Sequence, residues 1–303
     1  MKSREEIREA LSCPIASVPT LFLKDGSIDL NGLRNFVDFT IAGGTKTMLL
    51  TYGDSLFSLL GDREIADVTQ VVAEHTAGRA LVVAAGGIWA TPQEIEFAKH
   101  VREIGADVLM VLPPDWARSC THDTFVEHYA AVAQHIPVML VTNVFAPRQA
   151  LGLEVLRTLR DQVEGIVAIK DDVGGQFARK MCLAVHDRWA VFAGGQKQNH
   201  LDLVPYGCDG YLSTFIQFRP DIAQDYWTAT QTGDWQRAKE IIQVYDMPYF
   251  DFVLPLPGGF DAGIHGVLEL FGIAQRWRRK PYYTLNDEEM ERLAGFFQQK
   301  SLL

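Results

Sequence analysis

Short apolar runs alternate with segments of helical spacing over the first two thirds of the chain, and this alternation is the strongest constraint on the fold. The apolar runs cover residues 14–23, 45–50, 80–85, 107–112, 137–142, 165–169, 189–193 and 210–213. Helical patterns lie between them at residues 29–42, 64–75, 91–104, 121–135, 153–162, 175–186 and 200–206. About eight strands alternating with helices are typical of a (β/α)8 barrel, the TIM barrel. A doubly wound sheet is the alternative α/β fold, but no G-x-G-x-x-G pattern follows the first strand.

The pattern changes after residue 220, where helical segments continue without strands between them. These segments cover residues 222–231, 235–245, 263–271 and 286–299, and the sequence Pro-Leu-Pro-Gly-Gly at residues 255–259 interrupts them. We therefore predict two parts. Residues 1–220 form the barrel with an N-terminal helix, and residues 221–303 form a helical appendage.

Charge and cysteine usage exclude several classes of partner. The 303-residue chain has a formal net charge of −10 without a basic run, which disfavours nucleic acid and anionic membranes. Its four cysteines, Cys13, Cys120, Cys182 and Cys208, form no C-x-x-C pair, so neither a zinc site nor a disulfide framework is indicated. The chain starts with a charged amphipathic segment, and no apolar stretch approaches membrane-spanning length. We expect a protein of the cytoplasm that acts on a small molecule.

Lys170 is the strongest candidate for a catalytic group. It ends the apolar run at residues 165–169 and is followed by Asp171 and Asp172. In a parallel barrel the carboxyl ends of the strands open into the active-site mouth. Burial lowers the pKa of a lysine, and the free amine can then form a Schiff base with a carbonyl substrate. The alternative is a solvated lysine that pairs with one of the two aspartates.

Thr51, Tyr52, Gly53 and Asp54 follow the second strand and are expected at the same mouth. Hydroxyl groups beside free backbone N–H groups can bind a carboxylate, and glycine allows a ligand to approach closely. A capped turn is the alternative interpretation.

Two further loops carry candidate binding residues. Thr142 and Asn143 end the fifth strand, and Arg148 beyond them could bind an acid. The alternative is a strand end followed by an exposed arginine. Gly194 and Gly195 follow the seventh strand, where they either allow a substrate to approach closely or form a tight turn.

Lys170 and these loops resemble the dihydrodipicolinate synthase and N-acetylneuraminate lyase superfamily of Schiff-base aldolases. The resemblance covers almost the whole chain, in the order and spacing of residues 25–29, 51–55, 105–107, 112–114, 136–138, 166–171, 207–213 and 233–238. It implies a lysine imine with pyruvate or another 2-keto acid, no metal or organic cofactor, and a homotetramer. The catalytic residues expected on this basis are Lys170, Tyr52 and Thr51. The expected substrate-binding residues are Thr51, Tyr52, Thr142, Asn143, Arg148, Gly194, Gly195 and Leu212.

The chain departs from the superfamily at two of these loops. The G-T-T-G-E loop that holds the keto-acid carboxylate matches residues 50–54, where Leu50, Tyr52 and Asp54 replace the first glycine, the second threonine and the glutamate. The tyrosine that shuttles protons from the fifth strand is replaced by Thr142, whose alcohol is a poor acid. We expect Tyr52 to transfer protons instead, with water as the alternative.

The resemblance predicts a lyase that cleaves or dehydrates a 2-keto-3-deoxy sugar acid or a similar substrate. One alternative is condensation or cleavage like that of dihydrodipicolinate synthase or N-acetylneuraminate lyase. Another is a keto-acid-binding protein that has lost catalysis. For the expected oligomer, Trp116, Phe215 and Phe218 are candidate contact residues or, alternatively, core residues.

Overall fold

A closed barrel of parallel strands forms the centre of the protein in the computed structural model, which describes residues 2–303. Within these residues the barrel has eight strands, and β1 pairs with β8 through Pro14 with Tyr211 and Ile15 with Leu212. The predicted TIM barrel is therefore confirmed. The strands are β1 (Pro14–Ser17), β2 (Thr47–Leu49), β3 (Leu81–Ala85), β4 (Val108–Val111), β5 (Val138–Val141), β6 (Ile166–Asp171), β7 (Ala190–Ala193) and β8 (Gly210–Leu212).

The strands are apolar at nearly every position because both of their faces are covered. All residues of β3, β5 and β7 are buried. The first strand is shorter than its apolar run predicts. Pro19 lacks the N–H group needed to continue the ladder, and β1 ends at Ser17.

Helices surround the barrel. They are α1 (Arg4–Leu11), α2 (Leu30–Ala42), α3 (Asp62–Thr76), α4 (Thr91–Glu103), α5 (His122–Val132), α6 (Gln149–Gln162), α7 (Gly175–Val185), α8 (Gln196–Leu203) and α9 (Pro220–Gln231). In α9 the Gln224 side chain donates to the Gly43 carbonyl at 3.0 Å, and the Ala223 carbonyl accepts from the Tyr211 hydroxyl at 3.2 Å. Helix α9 thus packs on the barrel as an outer helix. The division of the chain at residue 220 stays a prediction.

The remaining C-terminal helices are α10 (Trp235–Ile241), α11 (Met247–Val253), α12 (Gly259–Leu270) and α13 (Asp287–Gln299). A π-helical segment, Ile242–Asp246, joins α10 to α11. No helix was predicted from the sequence over the residues of α11, which has Pro248 in its first turn. Proline is tolerated in the first turn of a helix, where its missing N–H has no intrahelical partner.

Aromatic packing joins the C-terminal helices to the barrel. Phe215 and Phe218 follow β8 and are buried against Tyr249 of α11, with ring centroids 5.4 and 5.7 Å from the tyrosine. Both phenylalanines are therefore core residues, which was the alternative to a role in oligomer contacts. Trp116 is 88% exposed. None of the helices described within residues 2–303 is long and apolar enough to cross a lipid bilayer.

Candidate active site

A cavity of about 330 Å³ opens at the carboxyl ends of the barrel strands. Its volume lies in the range of small-molecule sites, roughly 300–1,000 Å³. Most of its walls come from strand ends and the segments after them, and α12 contributes Phe260. The lining residues are Ser17, Thr51, Tyr52, Gly53, Asp54, Met110, Leu112, Val141, Asn143, Lys170, Asp172, Gly194, Gln196, Leu212, Thr214, Gln217 and Phe260.

Lys170 lies near the end of β6 and reaches this cavity with a side chain that is only 9% exposed. Its Nζ contacts both carboxylate oxygens of Asp172, with the longer contact at 2.6 Å. The aspartate pairing that was the alternative to a catalytic lysine is thus present, but it lies inside the cavity and not at a solvated surface. The Lys170 amine can therefore pair with Asp172 and still be reached by a molecule in the cavity.

The two aspartates after Lys170 have different surroundings. Asp171 is fully buried and accepts hydrogen bonds from the Thr142 hydroxyl at 2.9 Å and the Gly174 N–H at 3.0 Å. Burial raises the pKa of Asp171, and these hydrogen bonds act against that rise. Asp172 points into the cavity, and its side chain is 25% exposed. Asp171 is therefore part of the scaffold, and Asp172 is in position to contact a ligand.

Thr142 connects β5 to the chain after Lys170. Its hydroxyl donates to Asp171 and accepts from the Asp172 N–H at 2.8 Å. The side chain is fully buried and is not among the residues that line the cavity. Thr142, which the sequence placed among the substrate-binding residues, is instead positioned to hold the Lys170 segment.

The loop after β2 is stabilised by hydrogen bonds among its own residues, and it lines the cavity. The Thr51 N–H donates to Ser55 Oγ at 2.9 Å, and Thr51 Oγ1 accepts from the Asp54 N–H at 2.9 Å. Across residues 2–303, the N–H groups of Tyr52 and Gly53 have no protein acceptor. These two donors and the proton of the Thr51 hydroxyl are thus available to an anion at the cavity wall.

The other predicted residues are divided between the cavity and its surroundings. Asn143, Gly194 and Leu212 line the cavity with Lys170, whereas Gly195 does not. Arg148 also lies outside the lining. Its guanidinium contacts the Asp115 carboxylate and donates to the Cys120 carbonyl at 2.8 Å. The structure therefore does not bring Arg148 to the acid-binding position expected from the sequence.

Several polar lining residues were missed by sequence reasoning. Gln217 donates to Ser17 Oγ at 3.3 Å, and the Thr214 N–H donates to Gln196 Oε1 at 3.1 Å. Two hundred residues separate Ser17 from Gln217. Gln196, Thr214 and Gln217 follow predicted strand ends, which was the only available signal, and Ser17 lies within the first predicted run. In the described part of the chain, no group of three or more His, Cys, Asp or Glu side chains could hold a metal ion.

Comparison with known proteins agrees with this architecture. Residues 11–300 match the dihydrodipicolinate synthetase family. The chain belongs to this family. A 4-hydroxy-tetrahydrodipicolinate synthase from Psychrobacter arcticus is 25% identical over 272 residues, which cover 88% of this chain and 89% of the relative.

Solved structures of the dihydrodipicolinate synthetase family share the fold. The YagE protein of E. coli K12, a family member solved in complex with pyruvate, has a TM-score of 0.81 and 24% identity, covering 95% of this chain and 98% of that one. An N-acetylneuraminate lyase from Fusobacterium nucleatum has a TM-score of 0.82 and 16% identity, covering 96% of this chain and 99% of that one. As a member of this family of Schiff-base-forming aldolases and synthases, the chain is a lyase.

Proposed function

We propose that this family member forms a Schiff base between Lys170 and a hydroxylated 2-keto acid, and then cleaves or dehydrates that substrate. The observation that carries the proposal is the Lys170 amine inside a cavity whose wall also presents unpaired N–H groups. An amine can attack the ketone carbon at C2 while those donors hold the neighbouring carboxylate. This pairing of nucleophile and anion site fits a 2-keto acid.

The substrate carboxylate is proposed to bind at the loop after β2. The Tyr52 and Gly53 N–H groups and the Thr51 hydroxyl are the donors available there. Backbone N–H groups in a turn provide fixed partial positive charge and cost little reorganisation when an anion binds. Thr51 and Tyr52 thus keep the carboxylate-binding role that was expected from the sequence.

The distal part of the substrate is proposed to be uncharged and hydroxylated. Among the described residues of the cavity wall, Lys170 is the only cationic side chain, and Arg148 is engaged elsewhere. Asn143, Gln196 and Gln217 supply amide groups that can donate to and accept from hydroxyls. A second carboxylate would lack an ionic partner at this wall. This composition favours a 2-keto-3-deoxy sugar acid over a dicarboxylic substrate.

The iminium at Lys170 acts as an electron sink when the substrate loses a proton or breaks a carbon–carbon bond. Both reactions then require a group that accepts or donates a proton near C3 or C4. Tyr52 lines the cavity and is half-buried, and we propose that its phenol serves this step.

The experiment that tests the proposal is reductive trapping of the imine. The protein is treated with borohydride and pyruvate or hydroxylated 2-keto acids, and adducts are located by peptide mass spectrometry. Lys170→Ala should abolish the adduct. Lys180→Ala, which removes an exposed lysine of α7, is the matched control and should retain it. An adduct that persists at full level in Lys170→Ala would overturn the assignment.

Turnover of each trapped acid separates the lyase from a keto-acid-binding protein. The lyase should release pyruvate or a dehydrated keto acid from its substrate, as followed by chromatography. A binder would form the adduct and return the acid unchanged.

We also propose that the chain assembles as a homotetramer, as the family resemblance implies. Trp116 is a large apolar side chain left exposed on the loop after β4, and burial in a subunit contact would remove its apolar surface from water. Light scattering should give a mass above that of the 33.9 kDa monomer. A monomer mass that does not change with concentration would contradict the proposal.

A further inference from the structure

The carboxylate in contact with the reacting amine is the feature of this site that the resemblance does not explain. We propose that Asp172 is a catalytic acid–base that moves the protons of imine formation at Lys170. This inference rests on the proposed Schiff-base function and assigns one of its steps to a residue.

The contact is direct and specific to one aspartate. Both oxygens of Asp172 face Lys170 Nζ, one of them at 2.6 Å, which is within reach for proton transfer. The Asp172 side chain keeps 25% of its surface exposed and borders the cavity. A molecule bound against Lys170 would therefore also lie beside this carboxylate.

The hydroxyl of Thr142 cannot take this role, because its single proton is already donated to Asp171. The same hydroxyl accepts the Asp172 N–H at 2.8 Å. That bond fixes the Asp172 backbone directly beside the strand end that carries Lys170. Thr142 thus acts as a positioning residue for the aspartate.

Gly194 provides the space in which the carboxylate lies. A Cβ atom built at this position would be 1.8 Å from Asp172 Oδ1 and 2.9 Å from Lys170 Nζ. Any side chain at residue 194 would displace the carboxylate from the amine. The glycine is therefore required by the Lys170–Asp172 contact itself.

Asp172 can accept and return every proton that moves during imine formation. The Lys170 ammonium first gives a proton to the Asp172 carboxylate, and the free amine attacks C2 of the keto acid. The carboxylic acid then protonates the alkoxide that forms, and the carboxylate takes a second proton from the nitrogen. Asp172 finally delivers that proton to the carbinolamine hydroxyl, which leaves as water. The products are a protonated imine, one water and the original carboxylate.

The test is the rate of imine formation, measured by mixing the protein with pyruvate and quenching with borohydride at increasing times. Asp172→Asn should lower this rate about 100-fold or more, in the range that positioned acid–base groups contribute. The adduct should still form at Lys170 on long incubation. Asp202→Asn on α8 is exposed and serves as the control with an unchanged rate.

A second variant separates proton transfer from a structural or counterion role. Asp172→Ala should be slow, and added formate should accelerate it, because a small carboxylic acid can enter the vacated space and carry the proton. Formate should not accelerate the wild-type protein. A residue needed only for structure would not be rescued. A simple counterion would give an unchanged or faster rate on removal, since its loss favours the uncharged amine.

Gly194→Ala keeps the carboxylate but displaces it, and should slow imine formation as well. If circular dichroism shows that the Asp172 variants do not fold, Gly194→Ala takes their place in this experiment. A full rate in Asp172→Asn or in Gly194→Ala, with the adduct on Lys170, would overturn the role of Asp172 alone. A wild-type protein that forms no adduct with any 2-keto acid would instead overturn the proposed function.

Discussion

One lysine–aspartate pair lies at the mouth of the barrel, and another is buried between α8 and the C-terminal helices. Lys170 and Asp172 line the cavity, whereas Lys197 and Asp246 are fully buried with Nζ and Oδ1 2.6 Å apart. The same two residue types are thus placed in opposite surroundings. Only the pair at the mouth can exchange protons with a bound molecule.

The buried pair joins two parts of the chain. Lys197 lies in the first turn of α8, and Asp246 ends the π-helical segment between α10 and α11. Burial lowers the pKa of Lys197 and raises that of Asp246, and their mutual attraction acts against both shifts. Lys197 Nζ also lies 4.3 Å from the centroid of the Phe215 ring. A charge pair with no access to solvent fixes structure, and the same pair beside a cavity becomes available for chemistry.

The largest effect on stability is expected from breaking the buried pair. Lys197→Met leaves Asp246 as an unpaired buried carboxyl, and this should lower the free energy of unfolding by about 3–5 kcal/mol. Urea unfolding followed by circular dichroism measures the change.

A double replacement tests the cause of that loss. Combining Lys197→Met with Asp246→Leu removes both charges and should recover most of the stability, because a well-packed apolar pair often replaces a buried ion pair without cost. A double variant as unstable as the single one would assign the loss to packing and not to charge.

Glu94 of α4 is a buried carboxyl group whose pKa is shifted by burial alone. Both of its oxygens lack a hydrogen-bond partner among the described residues, and burial raises its pKa from 4.5 to about 8. Between pH 4.5 and about pH 8, Glu94 is protonated in the folded state and ionised in the unfolded state. Stability from this group is therefore complete below about pH 4.5 and is lost as the pH rises through 8.

Urea titrations at several pH values measure this dependence. Unfolding free energy should decrease as the pH rises from 5 to 8, by at most about 1.4 kcal/mol per pH unit for one proton. Glu94→Gln should flatten the profile in this range. An unchanged slope in the variant would show that other groups cause it.

Tyr52→Phe changes a residue at the mouth of the barrel, and it should lower activity without lowering the free energy of unfolding. If the phenol transfers protons after the imine has formed, turnover should fall at least about tenfold. Imine trapping at Lys170 should continue, because the ring and its packing are retained. Steady-state kinetics and trapping are compared on the same preparation, and unchanged turnover would reject this role for Tyr52.

The smallest effect is expected when the pair at the mouth is broken. Lys170→Met leaves Asp172 in a partly open cavity, where water can solvate the carboxylate. The free energy of unfolding of this variant should fall by less than the roughly 3–5 kcal/mol expected of Lys197→Met, because water in the cavity can replace the lost partner. A loss as large as that of Lys197→Met would remove the distinction between the two pairs.

The fold was predictable because the strands are apolar at nearly every position and most intervening helices have a clear period, as in β5 and α6. Helix α8 has almost no such period, and it begins at Gln196, four residues before the predicted segment. The apolar pattern of the strands also identified Lys170 as a strand-end group. Apart from the pairing of Lys170 with a neighbouring aspartate, side-chain partners were not predictable. Arg148 could bind a ligand or Asp115, and Thr142 could face the cavity or Asp171, since these choices depend on sub-ångström packing between distant segments. The contact of Ser17 with Gln217 likewise arises only when the barrel closes.

The pairing of β1 with β8 has a consequence for how the protein aggregates. Within residues 2–303 every barrel strand has a neighbour on both sides, so the native sheet offers no free edge to which another chain could add a strand. Edge-to-edge growth must therefore wait until two neighbouring strands of the barrel separate. We expect aggregation on heating to follow the rate at which the barrel opens, and seeding with native protein to leave that rate unchanged.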